Sequence, residues 1–284
     1  MIDTFEHISL LKKSIKTQVT LALTEDIGSG DITGNLIDNS WAQAKIISRE
    51  EAVFCGKPWI EEICKRTDQQ IETVFHLDDG QMLSKNDVVV ELAGPARALL
   101  EVERTTLNFL QLLSGTATTT RNYVDVIKDL KTQLLDTRKT IPGLRLAQKY
   151  AVHCGGGKNH RVGLFDAFLL KENHIQAAGG LKKAVHSAML SIPNNIVEVE
   201  VENLEELSEA IDAGAHIVLL DNFSLADTAA AVKTARGKVK LEASGNISLQ
   251  NIRLIAETGI DYISVGAITK NIKSIDLSML FVAA

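Results

Sequence analysis

Cysteine is scarce in this sequence of 284 residues, which has only Cys55, Cys64 and Cys154. The number is odd, the three residues are far apart along the chain, and no CxxC pair occurs. The pattern therefore supports neither a disulfide framework nor a zinc ribbon. We expect reduced, buried thiols in a cytoplasmic protein.

The sequence also lacks long apolar runs and an excess of basic residues. No apolar stretch approaches the roughly 18–20 residues that span a bilayer. Residues 1–6 are acidic and do not have the layout of a signal peptide, so we expect neither membrane insertion nor secretion. With 30 Lys and Arg against 36 Asp and Glu, the formal net charge is −6. This balance argues against a general nucleic-acid binder, because phosphate neutralisation needs a basic face.

What is present is a core-forming composition, with 45% apolar and 23% charged residues. At about 100–200 residues per domain, the length fits one large domain or a medium domain with a smaller companion. The second half alternates strand-like runs with helical patterns. Asn203 with Glu206 and Ser224 with Asp227 predict two helix starts. The alternation predicts a parallel (β/α) barrel, complete or partial. Its predicted strands are residues 133–135, 167–170, 196–201, 216–220, 239–241 and 262–265.

The first half has a different pattern. Residues 40–98 contain short alternating segments, such as 44–48 and 88–92, that are interrupted by Gly and Pro. This pattern predicts a small sheet with antiparallel strands. Two helices are predicted to follow, at about 97–113 and 116–131, with a buried leucine stripe on the first.

Polar residues follow the predicted strands of the second half, where barrel active sites lie. Glu198, Glu200 and Glu202 alternate with valines, so one strand face should carry three carboxylates. The alternative is a charged edge strand that faces solvent. Residues 136–174 contain seven Lys and Arg against three acids. This local excess indicates a pocket for a small anion; the alternative is a solvated basic face.

Two short segments after the last predicted strands indicate a phosphate site. They are Ser244-Gly245-Asn246 and Val265-Gly266-Ala267. Barrels often bind phosphate there through backbone N–H groups, and glycine permits close approach of the backbone.

A series of longer motifs resembles one known family, the quinolinate phosphoribosyltransferases. In chain order the motifs are EDIG (25–28), ERTTLN (103–108), LDTRKT (135–140), PGLR (142–145), NHR (159–161), DAFLLKENH (166–174), EVEVE (198–202), LDNF (220–223), EASGN (242–246) and SVGA (264–267). They span nearly the whole chain. Lys270 departs from the pattern, since many members carry His at this phosphate-contacting position.

The resemblance implies an α/β fold in two domains. The first is an N-terminal α/β domain of the open-faced sandwich type at 1–113, joined by the C-terminal tail 271–284. The second is an open, type II phosphoribosyltransferase-like barrel of about seven parallel strands at 114–270. The implied reaction of NAD biosynthesis converts quinolinate and phosphoribosyl pyrophosphate to nicotinate mononucleotide, pyrophosphate and CO2, with Mg²⁺ as cofactor.

The resemblance also implies a role for each matching residue. Arg138, Arg161 and Arg104 of the partner subunit would bind the quinolinate carboxylates, and His160 and Lys171 would assist. Glu103 would lie with Arg104 at the interface of the homodimer. The catalytic set would be Lys139, Lys171, Glu200 and Asp221, with Lys139 on the diphosphate and with Glu200 and Asp221 facing the ribose and Mg²⁺. The remaining substrate-binding residues would be Thr137, Ser244, Gly245, Asn246, Val265, Gly266 and Ala267.

Three other functions stay open at this point. A relative linked to molybdenum uptake would share the fold and act on another base, since a fold does not determine the substrate. A barrel lyase or isomerase for a phosphorylated sugar would share the phosphate loops but would not need three arginines and three in-line glutamates. A non-catalytic nucleotide sensor would retain residues 244–246 but could lose Glu200 or Asp221.

Overall fold

The computed structural model describes residues 8–282 and contains two compact units, so residues 1–7 and 283–284, including the acidic segment 1–6, lie outside it. The parallel unit comprises Asn122–Lys139 and Gly157–Ala267. The antiparallel unit comprises the described residues 8–121, Thr140–Gly156 and 268–282. The domain boundaries inferred from the sequence stay a prediction. The compact units divide the chain at other residues, because Thr140–Gly156 packs within the antiparallel unit.

The antiparallel unit is built on a four-stranded sheet with the order β12-β1-β5-β3. All three pairings are antiparallel, which confirms the sheet that the alternating segments predict. A separate antiparallel pair is formed by β2 and β4. The strands are β1 (Trp41–Ser48), β2 (Ala52–Val53), β3 (Glu72–Phe75), β4 (Met82–Leu83), β5 (Val88–Pro95) and β12 (Leu277–Phe281).

Helices α1 (Ile8–Ile27), α2 (Lys57–Thr67) and α4 (Arg145–Cys154) belong to this unit, and a 3-10 turn lies at Gly34–Leu36. Trp59 is fully buried, stacks on Phe109 and lies 5.5 Å from the Tyr150 ring. Its indole N–H donates to Oε1 of Gln18, whose amide in turn donates to the Gly143 carbonyl. The core therefore gives the one polar atom of the tryptophan a partner, as burial requires.

The helical region after β5 is one helix, α3 (Ala96–Ile127), and not the two predicted helices. The predicted break falls at Gly115, where a Cβ would lie 2.3 Å from the Lys273 carbonyl oxygen. Gly115 therefore provides room for a crossing segment and does not end the helix. Of the predicted stripe, Leu99, Leu107, Leu110 and Leu113 are buried, whereas Leu100 is half-buried.

The parallel unit contains six strands in the order β6-β11-β10-β9-β8-β7, with every pairing parallel. The strands are β6 (Gln133–Leu135), β7 (Phe168–Leu170), β8 (Val197–Val201), β9 (Ile217–Asp221), β10 (Lys240–Ser244) and β11 (Tyr262–Ser264). These are the six strands that the sequence predicts, within a few residues at their ends. The fold class is confirmed as α/β with a parallel sheet, and the barrel count of about seven strands stays a prediction.

Short helices follow these strands along the chain. They are α5 (Glu172–Ala178), α6 (Leu181–Ser191), α7 (Leu204–Asp212), α8 (Leu225–Ala235), α9 (Ile252–Ala256) and α10 (Ala267–Lys270). Both predicted caps are confirmed, because Asn203 accepts the Glu206 N–H and Ser224 accepts the Asp227 N–H. Among residues 8–282, no helix combines the length and the apolar character that a bilayer crossing needs.

The antiparallel unit brings together two of the three cysteines, which the sequence separates by about a third of the chain. The Sγ atoms of Cys55 and Cys154 and a carboxylate oxygen of Asp79 lie within 4.8 Å of one another. Asp79 accepts the N–H groups of Gly56 and Lys57 on Oδ1, and the Tyr150 hydroxyl on Oδ2 at 2.5 Å. Burial raises the pKa of Asp79 and of the Cys55 thiol. All three cysteines are free, and the expectation of buried thiols is confirmed for Cys55 and Cys64 but is wrong for Cys154, which is half-buried.

We predict that Tyr150→Phe lowers the free energy of unfolding by about 1–3 kcal/mol, because the largely buried Asp79 carboxyl loses a hydrogen-bond donor. Urea denaturation followed by circular dichroism measures this change. The matched control is Tyr262→Phe, since the structure assigns no hydrogen bond to that hydroxyl among the described contacts. Equal stability of Tyr150→Phe and wild type would show that the hydroxyl contributes nothing.

Candidate active site

The carboxyl ends of the six parallel strands carry most of the predicted site residues. Because neighbouring strands run in the same direction, these ends lie at one edge of the sheet, where ligands bind in α/β folds. Within the parallel unit, this edge gathers Thr137, Arg138, Lys139, Lys171, Glu200, Asp221, Ser244, Gly245, Asn246, Val265, Gly266 and Ala267. Arg104 and Glu103 lie on α3 in the antiparallel unit, with Arg104 exposed, and do not belong to this set.

Two guanidinium groups form the centre of positive charge. Arg138 follows β6, and Arg161 lies in the loop before β7; both are partly buried. Burial, and then the positive charge of Arg138, lowers the pKa of Arg161. Arg161 also donates through Nη1 to the Ala167 carbonyl, with an N–O distance of 3.3 Å. Like charges in this position repel each other, and an anion that bridges them would remove the repulsion.

A second charged pair joins the ends of β7 and β8. The Lys171 ammonium forms an ion pair with Oε2 of Glu200. The Lys171 side chain is 46% exposed and that of Glu200 is 20% exposed, so both groups remain open to a ligand. Lys171 and Glu200, both predicted to be catalytic, are therefore in contact without substrate. Each partly neutralises the charge of the other.

The ends of β9 and β10 are joined through Asn222, which the sequence interpretation did not include in the site. Its Nδ2 donates to Oδ2 of Asp221 at 3.0 Å, and its Oδ1 accepts from Nδ2 of Asn246 at 3.2 Å. Asn222 and Asn246 both have positive φ, of 55° and 50°. A Cβ on Gly245 would lie 2.1 Å from Oδ1 of Asn222. Glycine is thus required there by a protein contact, in addition to any ligand.

Gly266 has a corresponding role beside β6. A Cβ at this position would lie 3.0 Å from Cδ of Lys139 and 3.4 Å from Oγ1 of Thr137. Thr137 Oγ1 also accepts the backbone N–H of Lys139 at 3.0 Å. Gly266 therefore leaves room for the Lys139 side chain. The residue predicted to bind the diphosphate and a residue predicted to bind the 5-phosphate are thus neighbours.

The interior of the sheet holds two carboxylates that the sequence interpretation left out of the site. Glu198 and Glu242 are 2% and 1% exposed. Nε2 of His160 lies 2.9 Å from Oε2 of Glu198 and 3.5 Å from Oε2 of Glu242. Burial, together with the nearby charge of Glu198, raises the pKa of Glu242 to about 8. The pair therefore retains a proton at neutral pH, and Glu242 is its main carrier.

The predicted row of three carboxylates is only partly correct. Glu198 and Glu200 lie on β8, but the strand ends at Val201, so Glu202 is exposed and its N–H donates to Glu206. The alternative of a solvent-facing edge strand is wrong, because β8 lies between β7 and β9 and its three valines are fully buried. The period of two identified the inward face but could not locate the end of the strand.

The oxygen donors at the sheet edge fit the cation that the resemblance implies. Glu200 and Asp221 come from the ends of adjacent strands β8 and β9. Carboxylate oxygens are the ligands that Mg²⁺ prefers, usually with several waters retained. Glu200 and Asp221 therefore provide a suitable donor set for Mg²⁺.

We predict that Glu242→Gln makes stability less dependent on pH. A free Glu releases its proton near its ordinary pKa of 4.5, whereas the folded chain retains the proton to about pH 8. Wild type should therefore lose stability as pH rises from about 4.5 to 8, because only the unfolded state releases this proton. Relative to wild type, the unfolding free energy of Glu242→Gln should therefore increase as the pH rises through this range. Urea titrations at several pH values measure it, with exposed Glu205→Gln as control. A constant difference from wild type would contradict the assignment.

Comparison with protein families matches two models that together account for most of the chain. The model of the quinolinate phosphoribosyl transferase N-terminal domain matches residues 31–114. The model of the C-terminal domain of the same family matches residues 116–280.

Curated relatives and solved structures agree with this assignment. The chain is 42% identical over 257 residues to a probable nicotinate-nucleotide pyrophosphorylase (carboxylating) of Bacillus subtilis, with 90% of this chain and 89% of the relative covered. It is 35% identical to a mitochondrial quinolinate phosphoribosyltransferase (decarboxylating) of Nicotiana tabacum, with 93% and 81% covered.

The solved structure of the nicotinate-nucleotide pyrophosphorylase of Francisella tularensis matches with a TM-score of 0.94 and 53% identity, over 95% of this chain and 96% of that one. The corresponding Ehrlichia chaffeensis structure matches with a TM-score of 0.88 and 37% identity, over 93% and 97%. The chain therefore belongs to the quinolinate phosphoribosyltransferase family.

Proposed function

We propose that this chain transfers the phosphoribosyl group of phosphoribosyl pyrophosphate to quinolinate, with loss of CO2, to give nicotinate mononucleotide and pyrophosphate. The names and the coverage of its relatives support this reaction, which places the chain in NAD biosynthesis. The observation that carries the proposal is the adjacent pair of partly buried guanidiniums, Arg138 and Arg161.

A pyridine diacid matches this pair in charge, with one carboxylate for each guanidinium. Quinolinate has two carboxylates on neighbouring ring carbons, and a guanidinium binds a carboxylate through two parallel hydrogen bonds. Nicotinate lacks one carboxylate, so one arginine would lose its partner. A charged hydrogen bond contributes about 1.5–3 kcal/mol, which corresponds to roughly 10- to 100-fold selection for the diacid.

The second substrate needs cations at its diphosphate and N–H donors at its 5-phosphate. Lys139 would bind the diphosphate, and residues 244–246 and 265–267 would bind the 5-phosphate. Mg²⁺, held by Glu200 and Asp221 in part through water or substrate, would neutralise charge on the diphosphate. Departure of pyrophosphate leaves a ribose of oxocarbenium character. The carboxylates of Glu200 and Asp221 stabilise the positive charge that grows there.

The Lys171–Glu200 ion pair gives each group a second task. Lys171 limits the negative charge that Glu200 presents to the diacid and faces the substrate carboxylate as an additional cation. No covalent nucleophile is required, because the pyridine nitrogen attacks the ribose directly. Once ribosylated, this nitrogen is cationic and stabilises the electron pair that the departing CO2 leaves on the neighbouring ring carbon, and that carbon then takes up a proton from water.

We further propose a cytoplasmic homodimer in which Arg104 and Glu103 lie near the site of the partner subunit. The exposed position of Arg104 on α3 supports this arrangement. The antiparallel unit also exposes Leu21, Ile32, Leu36 and Trp41, each at more than half of its surface. A partner subunit would cover apolar surface of this kind.

We predict that the purified chain releases pyrophosphate when quinolinate, phosphoribosyl pyrophosphate and Mg²⁺ are mixed. A coupled assay measures the release. Nicotinate in place of quinolinate should give roughly 10- to 100-fold less, for the reason given above, and a chelator should stop the reaction.

The controls for this assay are two single variants. Arg161→Ala should abolish turnover in a folded protein, whereas Lys238→Ala, which removes an exposed charge near the amino end of β10, should leave it unchanged. Equal turnover with nicotinate and quinolinate, or full activity of Arg161→Ala, would refute the proposed pocket.

We also predict that Arg104→Ala and Arg138→Ala, each inactive alone, restore activity when their subunits are mixed. In a shared site, each hybrid dimer has one intact site, so random exchange gives about a quarter of wild-type activity. Native mass spectrometry of differently tagged subunits confirms the exchange. Hybrid dimers without activity would show that Arg104 acts within its own subunit.

A further inference from the structure

The loop that carries Arg161 lacks regular secondary structure, yet side chains hold its backbone. The His160 N–H donates to Oδ1 of Asp136 at 2.8 Å, and the Arg161 N–H donates to Nδ1 of His160 at 2.7 Å. The next two N–H groups, of Val162 and Gly163, both donate to the Asp166 carboxylate. Four successive backbone donors thus have side-chain acceptors, so this loop depends on those side chains for its shape.

The hydrogen bonds determine which nitrogen of His160 carries a proton. Since Nδ1 accepts the Arg161 N–H, it has no proton of its own. The proton of the neutral ring is therefore on Nε2, which donates to Oε2 of Glu198 at 2.9 Å. A protonated Nε2 cannot ligate a metal. Although His160, Glu198 and Glu242 could enclose an ion by distance alone, the tautomer argues against such a site.

The two buried glutamates are costly for the fold, and a buried charge is tolerated only with suitable partners. Glu198 and Glu242 come from β8 and β10, which flank β9, so both side chains project from the rigid sheet. His160 lies between this rigid sheet and the irregular loop, with one ring nitrogen bonded to each. Its ring therefore connects the sheet to the backbone of Arg161.

We propose that Glu198 and Glu242 are positioning residues for the diacid pocket, which hold the His160 ring so that its Nδ1 fixes the backbone of Arg161 and thereby the guanidinium beside Arg138. This inference rests on the proposed function. Both His160 nitrogens are engaged with protein groups, so His160 supports quinolinate binding through Arg161. Metal ligands depend in the same way on the second layer of groups that orients them.

The test compares Glu198→Leu, which cannot accept the His160 proton, with Glu198→Gln, whose amide oxygen can. The first readout is the ¹⁵N spectrum of imidazole-labelled protein, with the His160 signal assigned through His160→Asn. Wild type and Glu198→Gln should show the Nε2–H tautomer of His160 between about pH 6 and 8, where a free His titrates. Glu198→Leu should lose that signature. A wild-type His160 with its proton on Nδ1 would overturn the proposal without any variant.

The second readout is calorimetric binding of quinolinate, with the KM for each substrate beside it. Glu198→Leu should weaken quinolinate binding about tenfold or more, the effect of one displaced charged hydrogen bond. The KM for phosphoribosyl pyrophosphate should stay within about twofold of the wild-type value. General loosening of the fold would instead weaken the binding of both substrates. Glu198→Gln should restore most of the affinity, and Glu202→Leu on the exposed segment after β8 should match wild type.

These outcomes separate the two proposals. If wild type does not bind quinolinate, the proposed function fails and the positioning role toward this diacid fails with it. If wild type binds quinolinate and Glu198→Leu binds it equally well, only the positioning role is overturned. An equal loss of affinity for both substrates would also overturn it.

Discussion

Two guanidinium groups of like charge, Arg138 and Arg161, are partly removed from water and repel each other. The chemistry of this edge of the sheet depends on that repulsion. Burial weakens the hydration of Arg161, and the charge of Arg138 adds to the electrostatic cost of keeping Arg161 ionised, so both lower its pKa. A dianion would relieve this cost, so the charge of the site favours a small diacid over a neutral ligand. The whole chain has a net charge of −6, so this positive charge is a local feature of an acidic protein.

The acidic groups of the parallel unit have different tasks because of their depth. Glu198 and Glu242 are buried and hold His160, and Glu242 retains a proton to about pH 8. Glu200 and Asp221 lie further along neighbouring strands, remain partly accessible and can meet a ribose or a cation. Side-chain depth along parallel strands therefore separates carboxylates that shape the site from carboxylates that face the substrates.

Local patterns in the sequence predict much of this arrangement. The six parallel strands, the caps at Asn203 and Ser224, and the residues at the strand ends follow from periodicity and from short-range hydrogen bonding. Contacts between distant residues could not be predicted in this way. The pairing of His160 with Glu242 and the meeting of Cys55 with Cys154 depend on how separate segments pack. The break predicted between residues 113 and 116 is likewise absent, because Gly115 accommodates a crossing segment while the helix continues.

The central claim is that Arg138 and Arg161 bind the two carboxylates of one pyridine diacid. A crystal structure of the chain with quinolinate tests this claim most directly. The account predicts the diacid at the carboxyl edge of the parallel sheet, with one carboxylate on each guanidinium and the His160 ring still bonded to Glu198. Quinolinate bound away from both arginines would contradict it.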